Sequence, residues 1–251
     1  MIDPSAGELA VMALTVTVAY TVLGFSGFGA ILVALPVLAH LLSLRVAVPV
    51  LLVCDLFAAS LMGLKNRHLV DRPELLRLVP FLMVGMAFGV LLLARSSEPV
   101  LLTALGTFVL AMSLWNLFGR AGTGIVSAKW AVPAGLVGGT FSSMFGTGGP
   151  VYTLFLARRL RETSRLRATV GAIVLGSAVV RLVLFTSSGL FKPEGLLRLA
   201  LMLVPLAVIG SLLGHRLQAR VPQDRVRRVI WMLLVASGAS VLWRGLSGWA
   251  A

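Results

Sequence analysis

Eight apolar stretches run along the chain, at 9–42, 46–64, 78–94, 99–118, 130–157, 168–187, 196–214 and 229–247. Several are close to the roughly 20 residues that a helix needs to cross a bilayer. The segments joining them are short and basic. The longest polar gap, around 215–228, is too short to bury a core of its own, so no soluble domain fits anywhere. With 58% hydrophobic and 12% charged residues and a mean hydropathy of +0.98, the chain could not leave this surface in water. The expectation is an all-α polytopic membrane protein, with 1–251 forming a single transmembrane domain. Trp115, Trp130, Trp243 and Trp249 fall at segment ends, where interfacial indoles sit, and Trp231 lies just inside its segment. The net charge of +13 rests on 22 Lys and Arg, nearly all between apolar segments; the positive-inside effect explains them without nucleic acid as a partner. The single cysteine, Cys54, excludes an internal disulfide and a cysteine-based metal cluster. Asp3 and Glu8 stand where a signal peptide would be basic, so the first stretch is expected to belong to the mature protein.

Two of the stretches are too rich in glycine to be continuous helices. Residues 138–150 read Gly-Gly-Thr-Phe-Ser-Ser-Met-Phe-Gly-Thr-Gly-Gly-Pro. Gly costs about 1 kcal/mol in a helix interior and Pro about 3, so Gly146, Gly148, Gly149 and Pro150 should unwind the chain between helical halves at 130–144 and 151–160. A weaker copy, Gly24-Phe25-Ser26-Gly27-Phe28-Gly29 followed by Pro36, lies about 120 residues earlier. Backbone groups freed from a helix cannot face acyl chains, so each break must be packed in protein or line a polar cavity. Broken segments in matching halves mark a transporter's substrate site near the midplane. Glycines that merely let helices pack closely would not call for a Gly-Gly-Pro stop.

The halves repeat. Arg72-Pro73-Glu74-Leu75-Leu76-Arg77-Leu78 is echoed by Lys192-Pro193-Glu194-Gly195-Leu196-Leu197-Arg198-Leu199, and each echo reads as a helix start with Pro in the first turn and Glu beside it. Repeat 1 covers about 7–119 and repeat 2 about 128–248, each a glycine-broken hairpin or kinked segment plus three transmembrane helices. If the broken segments cross once, the basic residues divide almost evenly between the two faces. If each returns to its own side, one face holds the basic residues of 65–77, 119–129, 158–167 and 215–228, and the other keeps only Arg45, Arg95, Lys192, Arg198 and Arg244. The second arrangement fits the positive-inside rule far better. It makes the halves inverted repeats with both termini outside, and both glycine turns approach the midplane from opposite faces.

On these features the chain resembles the TauE/SafE family of sulfite and organosulfonate exporters, whose halves each open with a glycine-rich motif inside a hydrophobic segment. Phe145-Gly146-Thr147-Gly148-Gly149-Pro150 matches that motif well, and Phe25-Ser26-Gly27-Phe28-Gly29-Ala30 departs from it at Ala30, where members usually carry another Gly. The resemblance extends over nearly the whole chain, including the start of the span after each motif, Arg45-Val46-Ala47 and Arg167-Ala168-Thr169. It implies transport of small sulfur-containing anions across the cytoplasmic (inner) membrane.

Elementary electrostatics points to an anion independently. A glycine turn leaves backbone N–H groups unpaired at the start of the next half-helix, whose N-terminal end carries about half a positive charge. The candidate anion-binding residues are Gly27 and Gly29 in the first turn, Gly146, Thr147, Gly148 and Gly149 in the second, and Arg181. Ser26, Ser142 and Ser143 rank behind them. Arg181 sits about six residues from the end of its span, deep enough to be a functional residue by default, and its fork of donors suits a sulfonate or sulfite. Asp55, central in 46–64, is Arg181's partner or an ion-coupling group. His40, His68 and His215 lack metal-ligand spacing, and no Ser-His-Asp set, HExxH or P-loop occurs, so neither metal, cofactor nor enzyme is expected. The expected function is a secondary transporter for a small anion. A co-transported proton or ion and a homo-oligomer are left open, and a non-transporting membrane subunit or assembly factor is the competing reading.

Overall fold

The computed structural model describes residues 4–26, 29–63, 67–118, 126–160, 162–217 and 223–248, and each of the eight stretches contains helix. The first half comprises α1 (Ala6–Ser26), α2 (Ala30–Leu38), α3 (Leu44–Gly63), α4 (Arg72–Arg95) and α5 (Glu98–Phe118). The second comprises α6 (Ala131–Phe145), α7 (Gly149–Ala157), α8 (Thr163–Ser187), α9 (Leu196–Leu217) and α10 (Gln223–Ser247). No strand occurs among the described residues. Helices α1, α4, α5, α8, α9 and residues 230–247 of α10 are long and apolar enough to cross a membrane. Val84, Phe88, Val183 and Leu233, within such helices, are exposed, as positions facing lipid tails can be. The protein is an all-α, multi-pass membrane protein.

The helix starts follow local chemistry. Asp71 caps α4 by accepting from the Glu74 N–H at 3.1 Å, with Pro73 in the first turn, as the sequence predicts. Its echo does not start a helix. Gly195 takes a left-handed φ of 86°, so Lys192-Pro193-Glu194 forms a turn and α9 begins only at Leu196.

Small residues decide which helices touch. A β-carbon on Gly210 would press on Thr17 and Tyr20, and one on Gly214 on Thr21 and Phe25, so α1 and α9 lie parallel with their backbones in contact. In the same way Gly135 meets Leu78 and Leu82, and Gly139 meets Leu82 and Met86, which makes α6 parallel to α4. Gly245 against Thr103, Gly106 against Leu242 and Gly238 against Val109 set α5 and α10 antiparallel. Gly24 belongs with these packing glycines. It stands inside α1 against Ser211, and the break begins only after Ser26, later than the motif predicts.

Contacts at the bundle ends turn both broken stretches into hairpins. Arg244, late in α10, donates to the carbonyl of Ala39 just past α2. Arg45, at the start of α3, donates to the Leu93 and Ser96 carbonyls at the turn between α4 and α5. The α1–α2 pair therefore returns to the end of the bundle at which α1 began. At the opposite end Arg159, just past α7, reaches Glu74 in the first turn of α4, beside which α6 starts.

Glu74 is 7% exposed and carries this second anchor. Its carboxylate accepts from Arg159 Nε and Nη2 at 2.7 and 2.6 Å and from Arg77 Nη1 at 2.7 Å, and hydrogen bonding to it raises the Arg159 pKa above its ordinary value. Removing one member of a nearly buried pair strands the other charge. Glu74→Ala is therefore expected to lower the melting temperature in detergent by several degrees. Arg165→Ala, which breaks a half-exposed 3.6 Å pair with Asp71, is expected to lower it much less. Equal melting of the two variants would remove Glu74 as the anchor.

Candidate functional site

At the tip of the second hairpin, α6 ends on Gly146 at φ 71°, a left-handed conformation with no steric cost for glycine. The Gly146 N–H donates to the Ser142 carbonyl at 2.8 Å and the Thr147 N–H to the Phe141 carbonyl at 3.2 Å. Gly148 is right-handed, at φ −64°, so its need for glycine is a matter of space: a β-carbon there would overlap the Gly138 carbonyl oxygen, where the chain folds back on α6. The N–H groups of Gly148 and Gly149 meet no acceptor among the described residues, which leaves them free at the start of α7. At the other tip Gly29, at φ 95°, caps α2 with open space where a side chain would be. Gly27, the remaining glycine of that turn, lies outside the described residues, as does the side chain of Ser26.

Helix α8 carries Arg181 into the middle of the bundle, where it is 2% exposed. Nη2 lies 3.4 Å from Asp55 Oδ2, while Nε and Nη1 are buried with no hydrogen-bond partner among the described residues. A β-carbon on Gly146 would stand 2.8 Å from Arg181 Nη1 and overlap Ile31 Cδ1. The guanidinium, the tip of the second hairpin and the first turn of α2 are thus side by side. Thr147 is buried with its Oγ1 also unpartnered. Ser142 and Ser143 are buried in α6, and Ser143 spends its hydroxyl on the Met86 carbonyl at 2.7 Å. Asp55 Oδ1 accepts from Tyr20 Oη at 2.8 Å, and the same hydroxyl lies 3.1 Å from the Leu51 carbonyl. Tyr152, buried in the first turn of α7, lies within electrostatic range of both members of the pair. Buried donors left unmade are costly, so two guanidinium nitrogens without a partner, close to the turn at Gly146, are a donor set that an oxyanion could satisfy.

A cavity of about 370 Å³ lies on the other side of the hairpin tips. Phe25, Gly29 and Leu32 line it from the first hairpin, Pro150, Thr153 and Ala157 from the second, and Asn116, Arg167 and Trp231 from the surrounding helices. Gly29 and Leu32 face this cavity, whereas Ile31 of the same turn packs beside Arg181. Pro150 and Thr153 face it likewise, whereas Tyr152 of the same turn is buried away from it, within electrostatic range of the Arg181–Asp55 pair. The first turns of α2 and α7 therefore stand as a partition between cavity and ion pair.

Sequence reasoning missed Tyr20, Tyr152, Ile31, Thr153 and Trp231. A signal existed for three of them: the chain has only two tyrosines, both within apolar stretches, and Trp231 is the indole that lies inside its segment. Trp231 is buried against the cavity, whereas Trp115, Trp130 and Trp243 are exposed at helix ends; Trp249 lies outside the described residues. Among the described residues no cluster of His, Cys, Asp and Glu could hold a metal ion, and His40 is spent on the Pro36 carbonyl and Ser240.

The family described as sulfite exporter TauE/SafE matches residues 12–241. A protein of Comamonas testosteroni named probable inner membrane transporter protein TsaS is 30% identical over 195 residues, covering 76% of this chain and 81% of its own. A probable sulfite/organosulfonate exporter TauE of Cupriavidus necator is 28% identical over 116 residues, 46% of this chain and 45% of that protein. No solved structure matches the chain.

Proposed function

The chain belongs to the TauE/SafE family, and on that premise we propose that it is a secondary transporter of small sulfur-containing anions, sulfite or an organosulfonate, in the cytoplasmic (inner) membrane. The observation that carries the reading is Arg181: buried, sharing one N–H with Asp55, and presenting two unused donors at the meeting point of the hairpin tips. The anion is held there by Nε and Nη1, with the Thr147 hydroxyl and the backbone N–H groups of Gly148 and Gly149 on one side and the turn of Gly27 and Gly29 on the other as further donors, while Gly146, whose own N–H is spent on Ser142, shapes the turn. The mostly apolar cavity suits the carbon skeleton of a sulfonate on its way to that site. The partition formed by α2 and α7 is the gate that a change of access would move. No chemical step is required of the protein.

In this reading the halves, about 7–119 and 128–248, are inverted repeats. The packing of α1 on α9 and of α6 on α4 supports it, since each hairpin's longer arm lies parallel to the matching helix of the other half. The basic loops 65–77, 119–129, 158–167 and 215–228 face the cytoplasm, and both termini face outside. Reporter fusions in 158–167 and after residue 247 are expected to report opposite sides; the same side for both would overturn the arrangement. Purified protein in liposomes is expected to move labelled sulfite or methanesulfonate, and its failure to move either would reject transport of this anion class.

A further inference from the structure

We propose that Asp55 is a proton-coupling residue, and that each anion bound at Arg181 takes up one proton on the Asp55 carboxylate. The inference rests on the anion site proposed above. Arg181 and Asp55 together are neutral, and a monovalent anion arriving at Arg181 would leave a net negative charge around a guanidinium that is 2% exposed, which a low-dielectric interior opposes. A proton on Asp55 restores neutrality and frees Arg181 for the anion. The balance is closed: carboxylate, guanidinium, anion and one proton become a neutral carboxylic acid and a guanidinium–anion pair.

The hydrogen bonds around Asp55 accommodate both forms. With Asp55 ionised, the Tyr20 hydroxyl donates to Oδ1 at 2.8 Å. With Asp55 protonated, its O–H donates to Tyr20 Oη across the same distance, and the Tyr20 hydroxyl turns to the Leu51 carbonyl, already 3.1 Å away. No polar atom of this set loses its partner in either form. The ion pair is correspondingly slack, a single contact at 3.4 Å where a bidentate fork would hold tighter.

The titratable groups around Asp55 are few. Tyr20 faces it from α1, Arg181 from α8 and Tyr152 from α7, with Cys54 beside it on α3. Of the other elements packed on α3, α2 and α6 carry no titratable residue, α9 carries Arg198, His215 and Arg216 only in its end turns, and α4 and α5 carry theirs only near their ends.

Calorimetric titration of the purified full chain with methanesulfonate, in buffers of different ionisation enthalpy, tests this. That probe is an anion at every working pH, so any proton taken up goes to the protein. Wild type is expected to take up about one proton per anion, with Kd rising about tenfold per pH unit wherever resting Asp55 is ionised. Asp55→Asn is expected to bind with a pH-independent Kd and no proton uptake. Binding by wild type without proton uptake overturns the coupling and leaves the anion site standing, as does uptake undiminished in Asp55→Asn. Absence of binding by wild type overturns the site itself. Tyr20→Phe keeps the carboxylate and removes its second partner, so it is expected to displace the pH profile while keeping its slope. An unmoved profile would remove Tyr20 from the relay.

Discussion

Replacing Arg181 with Ala is expected to reduce transport of sulfite or methanesulfonate by at least roughly 30-fold while the protein still inserts. Truncating a buried, charge-assisted contact costs about 2–5 kcal/mol, and each 1.4 kcal/mol is a factor of ten. Lys at this position keeps the charge but loses the planar fork, so Arg181→Lys is expected to recover only part of the activity. The 3.4 Å contact with Asp55 complicates the single variant, because removing Arg181 strands a buried carboxylate. The double variant separates the effects. Adding Asp55→Asn to Arg181→Ala is expected to restore the melting temperature but not transport, whereas a purely structural pair would recover both. A stable Arg181→Ala protein with unchanged substrate affinity would take Arg181 out of the site.

Gly146→Val is expected to abolish transport, with expression retained. At φ 71° a β-carbon costs roughly 1–2 kcal/mol, and a β-branched residue resists the conformation further. The added atoms would also overlap Ile31 and crowd Arg181 Nη1, forcing apart the two hairpin tips. Most of the bundle does not depend on this turn, so insertion should survive. Gly176→Ala on α8, whose β-carbon would meet nothing within 4 Å, is the matched control and is expected to be silent. Activity retained in Gly146→Val would mean that the hairpin tips need not meet for transport.

Much of this architecture was legible in the residues because membrane insertion imposes few rules and imposes them strongly. The long apolar runs located the helices, and Gly146 to Pro150 located the second break to within a residue or two. The first break was placed too early because Gly24 reads the same whether it interrupts a helix or packs one, and only the backbone of α9 against it decides which. Pro193 misled for a related reason: proline allows a helix start, but the left-handed Gly195 behind it postpones one. The Arg181–Asp55 pair was legible because ionisable residues are scarce in the apolar runs. Ile31 and Thr153 carried no such mark, since an isoleucine and a threonine among apolar neighbours acquire a role only when two hairpins meet. Which glycine of 146–149 is left-handed is likewise not written in the composition: the fold places the left-handed residue at Gly146 and uses Gly148 for close approach to Gly138.

In the proposed mechanism the anion sits on Arg181 between the two hairpin tips. Crystals soaked in selenite, a selenium analogue of sulfite, test it most directly, because the anomalous signal of selenium reports where the anion is. A peak is expected within hydrogen-bond reach of Arg181 Nε and Nη1 and in contact with the turn at Gly146 and Thr147, lost in Arg181→Ala. Peaks confined to the basic loops or to the cavity beside Trp231, with the Arg181 guanidinium left bare, would contradict it.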